Sequence, residues 1–270
     1  MNARTEGLLD IGRAGDPSVF PARIREAAAE LIARYPAGQE RSALLPLLHL
    51  VQSEQGCVSA DGIAFCADQL GITKAQVAAV ATFYTMYKRS PTGEFLVSVC
   101  TNALCGMLGG DRIYEVLSQV LEVGNQETTP DGLITLEHAE CLAACDYAPV
   151  LTVNYEFFDQ QTPESAAALV AELQRGGRPH PTRGAPLCTF REIERQIAGL
   201  PDERPEALTA EAIGDPSTAG VRLAVELRQS APSYATMATD LPAEDPGGPY
   251  SGPPGAHAGP AAGAPLTKGD

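Results

Sequence analysis

Four of the seven cysteines fall into two close pairs. Cys100 and Cys105 are separated by four residues, Cys141 and Cys145 by three, and 35 residues lie between the pairs. Thiolate is the usual ligand of a [2Fe–2S] cluster, which needs four of them, two on each iron. Each pair can serve one iron. Structural zinc sites are more often built on C-x2-C knuckles, whereas spacings of four and three suit a larger object. Spacing rules are loose, so a Zn(Cys)4 staple, which would make the chain a colourless interaction module, stays open as the alternative. Disulfides are a weaker third reading for an odd number of cysteines in a reducing compartment. A thioredoxin-type disulfide reductase would need a C-x-x-C pair, which the chain lacks.

The flanking residues suit a buried inorganic group. Gly106, Gly109 and Gly110 follow Cys105, and small residues there let backbone amides approach sulfur. Ala143 and Ala144 keep the second loop free of bulk, and Asp146-Tyr147-Ala148-Pro149 turns the chain toward the next strand. Asp146, adjacent to Cys145, should lower the reduction potential by disfavouring the more negative reduced state. The other cysteines read as structural: Cys66 on an apolar helix face, Cys57 at a helix end and Cys188 in a loop. His138, three residues before Cys141, reads as a strand-end residue, and His49 as a structural residue of a helix. There is no G-x-G-x-x-G or Walker loop, so no nucleotide cradle is expected on this chain.

The elements that must position these thiols follow from periodicity. Ile24, Ala28, Leu31 and Ile32 predict an amphipathic helix over 21–35. A second helix is expected from an N-cap at Ser42 to Gln55, with Leu44, Leu45, Leu48 and Val51 inward, Pro46 in its first turn and Gly56 as its stop. Ser59 caps a third helix ending at Gly71. Thr73-Lys74-Ala75-Gln76 is a capping box opening a fourth. Beyond Pro91-Thr92-Gly93, the run over 94–99 is β-branched and aromatic and predicts a strand ending at Cys100. A helix over 111–123 with Ile113, Val116, Leu117 and Val120 on one face, strands at 133–136 and 150–153, and a helix over 163–175 complete a β-α-β-β-α order. That order resembles a thioredoxin-type layer and places both cysteine loops at one sheet edge.

The expected class is therefore α+β, with a flexible N-terminus over 1–20, a helical bundle over 21–90, and a thioredoxin-like α/β [2Fe–2S] domain over 91–177. Residues 178–230 are expected to form an extended arm with a short helix at 190–200, able to wrap a neighbouring subunit. Residues 231–270 hold 8 prolines and 7 glycines, too little apolar surface to offset ordering entropy, and are expected to be disordered.

Composition narrows the function. A net charge of −15 argues against phosphate-neutralising nucleic-acid binding and against docking on anionic lipid. The first 20 residues carry no apolar signal-peptide segment, and no stretch reaches the roughly 18 apolar residues of a membrane span. A cytoplasmic protein without direct membrane insertion is expected, with membrane association arising only through a partner.

The run SALLPLLHLVQ over 42–52, the run VATFYTMY over 80–87, the two cysteine pairs and Ala148-Pro149-Val150 together resemble the E subunit of bacterial respiratory complex I, NADH-quinone oxidoreductase. The resemblance covers about residues 20–177. It implies a thioredoxin-like ferredoxin fold, with Cys100, Cys105, Cys141 and Cys145 matching the family's cluster ligands. It also implies a flavin-bearing neighbour, the F subunit, carrying FMN and binding NADH, together with other peripheral-arm subunits. The complex would lie on the cytoplasmic side of the inner membrane. Related subunits serve NAD-linked hydrogenases and formate dehydrogenases, so an equivalent diaphorase role is the alternative host.

Overall fold

The computed structural model describes residues 15–202, 204, 207 and 215–229. The tail expected to be disordered at 231–270 lies outside these, as do residues 1–14.

Four helices open the fold: α1 (Ala22–Ile32), α2 (Leu44–Gln55), α3 (Ala60–Leu70) and α4 (Lys74–Phe83). Their ends follow local chemistry. Ser59 accepts the Gly62 amide, and Thr73 and Gln76 close the capping box. Gly56 and Gly71 end α2 and α3 with φ of 76° and 62°, a left-handed conformation that costs glycine little. The entry to α2 differs from expectation. A 3-10 turn, Glu40–Ala43, takes up Ser42, and Ala43 precedes the helix with no side-chain cap. The turn rotates Leu45 outward, to 41% exposure, while Leu44, Leu47, Leu48 and Val51 are buried.

Packing also begins before Pro21. Pro17–Val19 forms a 3-10 turn capped by Asp16, and Phe20 is buried with its ring 4.7 Å from that of Phe65. Of the described residues 15–20, Phe20 belongs to the bundle core, while Asp16, Ser18 and Val19 are exposed. Their anchor is one aromatic side chain that has no periodic neighbours in sequence.

The second half is a five-stranded sheet in the order β2-β3-β1-β4-β5. Its strands are β1 (Phe95–Cys100), β2 (Glu127–Thr128), β3 (Ile134–Ala139), β4 (Leu151–Val153) and β5 (Glu156–Phe158). β1 and β3 are parallel, with Cys100 level with Ala139; β4 lies antiparallel on the other side of β1. Between them run α5 (Ala103–Met107), α6 (Gly110–Leu121) and, after β5, α7 (Pro163–Gln174). Phe95, Val97, Val99, Ile134, Leu136, Leu151 and Val153 meet Ile113, Leu117, Val170 and Leu173 in the core below the sheet. Val120, expected on this face, is 47% exposed.

Residues 178–202 do not form an extended arm. α8 (Phe190–Ile197), opened by a Thr189 and Glu192 capping box, packs on α2 of its own chain. Phe190 and Ile193 join Leu96 and Cys188 in a small core, while Ala198 and Leu200 complete the core of the helical bundle. Glu194, wholly buried, accepts from or shares a proton with His49 Nδ1 at 2.6 Å and accepts the Tyr155 hydroxyl at 3.0 Å. The expected helix is present at the expected place; what makes it part of the fold is a buried acid bound to partners 145 and 39 residues away. A further helix, α9 (Asp215–Glu226), follows. Among the described residues, no helix is long and apolar enough to cross a membrane.

Candidate functional site

Because β1 and β3 run parallel, their C-terminal ends meet at one edge of the sheet. Cys100 is the last residue of β1, and Cys105 sits on the short α5 just beyond it. Cys141 and Cys145 lie in the loop after β3, with Cys145 opening a 3-10 turn, Cys145–Tyr147. Two contacts tie the loops together: the Thr101 amide donates to Ala139 O at 3.1 Å, and Asn102 Nδ2 donates to Glu140 at 2.6 Å. Tyr147-Ala148 then leads through a cis Ala148–Pro149 peptide bond into β4.

The two pairs differ in setting. Cys100 and Cys105 are buried, packed with Ala144 and Val150, whereas Cys141 and Cys145 are exposed. The sulfurs of Cys141 and Cys145 are 3.6 Å apart. Two thiolates on one tetrahedral metal, with metal–sulfur bonds of about 2.3 Å, stand about 3.8 Å apart, and a disulfide needs about 2.05 Å. All seven cysteines are free. Burial pushes the Cys105 thiol up to about 11; a hydrogen bond with the Val150 backbone opposes this, while the nearby Cys100 and Cys145 sulfurs add to it. The Cys145 thiol is raised chiefly by its hydrogen bond and charge interaction with Cys141, with smaller contributions from Cys100 and Asp146. The two pairs thus sense each other across the loops. Four thiolates so placed repel, and cations between them would offset that repulsion. Among the described residues no three ligating side chains gather tightly enough for a single metal ion.

A Cβ on Gly110 would stand 2.4 Å from Cys100 O and 2.9 Å from Cys105 O, so this glycine lets the two cysteine backbones close together. N–H···S contacts come from Ala143, whose amide lies 3.4 Å from Cys141 Sγ, and from the Val150 backbone at Cys105. Ala143 reaches Cys141 from a left-handed φ of 58°. Nothing in an alanine's sequence context signals that conformation. The histidines take their expected structural places: His138 ends a strand, with its ring 6.0 Å from Tyr114, and His49 is buried on Glu194. Cys57, Cys66 and Cys188 are buried away from the four.

The chain is similar to known proteins over most of the described residues. Residues 28–174 match the family described as thioredoxin-like [2Fe-2S] ferredoxin. The NADH-quinone oxidoreductase E subunit of Mycobacterium tuberculosis is 55% identical over 222 residues, spanning 81% of this chain and 87% of that protein. Subunit 2 of the Thermus thermophilus NADH-quinone oxidoreductase is 37% identical over 150 residues, 55% of this chain and 83% of that one. The E subunit of the Rickettsia conorii NADH-quinone oxidoreductase is 36% identical over 148 residues, 54% of this chain and 89% of its own.

Proposed function

The chain belongs to the thioredoxin-like [2Fe–2S] ferredoxin family, and from that premise we propose that it is the electron-transfer E subunit of an NADH-quinone oxidoreductase, holding one [2Fe–2S] cluster on Cys100, Cys105, Cys141 and Cys145. The observation that carries this reading is the meeting of two thiol pairs at one sheet edge, one with the sulfur separation of two ligands on one metal. The group would supply one-electron chemistry, taking single electrons derived from a two-electron donor. FMN and NADH belong on a flavoprotein neighbour, the F subunit, and the assembly lies at the cytoplasmic face of the membrane through its other subunits.

The protein's own contribution is the setting. Cys100 and Cys105 anchor the inner side among Ala144 and Val150, where low polarity disfavours added negative charge. Cys141 and Cys145 stand at the surface, where an electron can enter from a docked partner. The Ala143 amide points a donor at Cys141, which stabilises negative charge on sulfur.

Electron paramagnetic resonance of anaerobically purified chain, before and after dithionite, tests the reading. A signal that appears only on reduction, with about two irons and matching sulfide per chain, is expected. A colourless, silent protein carrying zinc would overturn it. Within the same reading, Asp146→Asn is expected to raise the midpoint potential, because Asp146 adds negative charge at Cys145. A redox titration giving the wild-type potential would remove Asp146 as a determinant.

A further inference from the structure

The Cys145–Tyr147 turn begins with one of the four candidate ligands, and part of what fixes it lies beyond α7. Its backbone is held by the chain after β5: the Gln160 amide donates to Tyr147 O at 2.9 Å, and the Gln161 amide donates to Pro149 O at 2.9 Å. The Tyr147 side chain, with Phe157 of β5, packs against the small core of Cys100, Cys105, Ala144 and Val150. The two rings thus lean on the core that holds the buried thiol pair, and Tyr147 is two residues from Cys145.

Arg183 meets both rings. The chain that leaves α7 turns back along β5, the edge strand of the sheet. The Thr182 amide donates to Phe157 O at 2.9 Å, and Arg183 bridges antiparallel to Phe157. This registration sets the guanidinium carbon 4.8 Å from the Tyr147 ring centroid and 4.2 Å from that of Phe157. Both fall within the roughly 6 Å over which a ring face attracts a cation. An ion pair with Asp159 at 3.0 Å fixes the same group, and only 15% of the side chain is exposed. Its Nε is buried with no hydrogen-bond partner among the described residues, and a desolvated cation gains more from a ring face than an exposed one. Arg178 offers a contrast within the same segment. It stacks on Phe95 at 5.3 Å and pairs with Glu94 at 2.8 Å, at the opposite end of β1 from Cys100.

We propose that Arg183 is a positioning residue of the cysteine site: by stacking on Tyr147 and Phe157 it clamps the Cys145–Tyr147 turn and so holds Cys145 in place for ligation. The inference rests on the reading of the four cysteines as cluster ligands. Outer groups that orient a ligand commonly govern how firmly the metal is held. Here the outer group comes from the chain beyond the ferredoxin layer, laid on its edge strand. Lysine is a poor substitute, because a planar guanidinium can lie flat on a ring while pairing with a carboxylate and an ammonium cannot.

The test uses the full chain and reads two quantities: the rate at which a chelator removes iron in native buffer, and the line shape of the reduced EPR signal. Arg183→Met is expected to release iron several-fold faster and to broaden the signal, whereas Arg178→Met should match wild type in both. Tyr147→Leu should resemble Arg183→Met. The double variant should be no worse than the faster single one, because residues acting through one contact are not additive. Wild-type release and line shape in Arg183→Met overturn the clamp, as does an equal effect of Arg178→Met, which would mean that the segment acts only through general stability. Where Arg183→Met does not fold, Arg183→Lys keeps a charge for Asp159 and should still release iron faster; wild-type behaviour there would show that the ion pair alone suffices and would equally overturn the stacking role. A wild-type chain with no reducible iron signal removes the ligand assignment itself.

Discussion

Glu194→Ala is expected to destabilise the chain by about 3–5 kcal/mol, the cost of removing one partner of a buried charged or hydrogen-bonded pair. The wild-type carboxylate is wholly buried and engages His49 at 2.6 Å and the Tyr155 hydroxyl at 3.0 Å. Alanine leaves both without a partner, and an unsatisfied buried group bears its full desolvation cost. Against a typical stability of about 5–15 kcal/mol the loss is large. The effect should concentrate on α8, which bridges α2 and the Tyr155 turn. Urea unfolding measures the magnitude, and limited proteolysis in the segment after residue 177 locates it. A loss below about 1 kcal/mol, in the range of an exposed pair, would mean that solvent reaches the carboxylate. Glu194→Gln, which can keep one hydrogen bond to each neighbour, should fall between.

Cys100→Ala is expected to abolish the reducible iron signal and to bring bound iron from about two per chain to near zero. Cys100 is held by backbone at both sides, with its own amide on Val150 O and the next amide on Ala139 O. Alanine therefore leaves β1 in place and removes only a sulfur. Cys66→Ala is the matched control. Cys66 is also fully buried, but it packs in the helical bundle, where burial pushes its thiol far up and keeps it neutral. Both substitutions remove one buried sulfur at a packing cost of about 1 kcal/mol, judged from the value of a methylene. Only Cys100→Ala should lose iron, and with it whatever stability ligand binding adds, since metal binding at such sites is coupled to folding. Iron assay and thermal unfolding of the two variants side by side decide the matter. Full iron retention in Cys100→Ala would remove Cys100 from the ligand set.

What the sequence made legible was local. The Ser59 cap, the Thr73–Gln76 box and the stops at Gly56 and Gly71 each depend on residues within one helical turn, and each stands where expected. The two cysteine loops were readable as neighbours because β1 and β3 are linked by helices, and such a crossover makes the strands parallel. The misread features depend on distant partners or on unmarked backbone angles. Ser42 has the chemistry of a cap, but the chain enters α2 through a 3-10 turn. β5 is three residues long, Glu156–Phe158, too short for an alternation pattern. Glu194 lies in a charged helix, and no local pattern marks it as the buried member.

The closure of the bundle by Ala198 and Leu200 bears on biosynthesis. The first four helices emerge from the ribosome with one side of their core uncovered. The segment that covers it is made only after the whole cysteine-bearing sheet. At roughly 5–20 residues per second, the interval between the end of α2 and the end of α8 lasts roughly 7–28 s. During that time the nascent bundle exposes apolar surface of the kind chaperones recognise. Docking of α8 is then a late checkpoint, which a chain truncated before residue 190 could not pass.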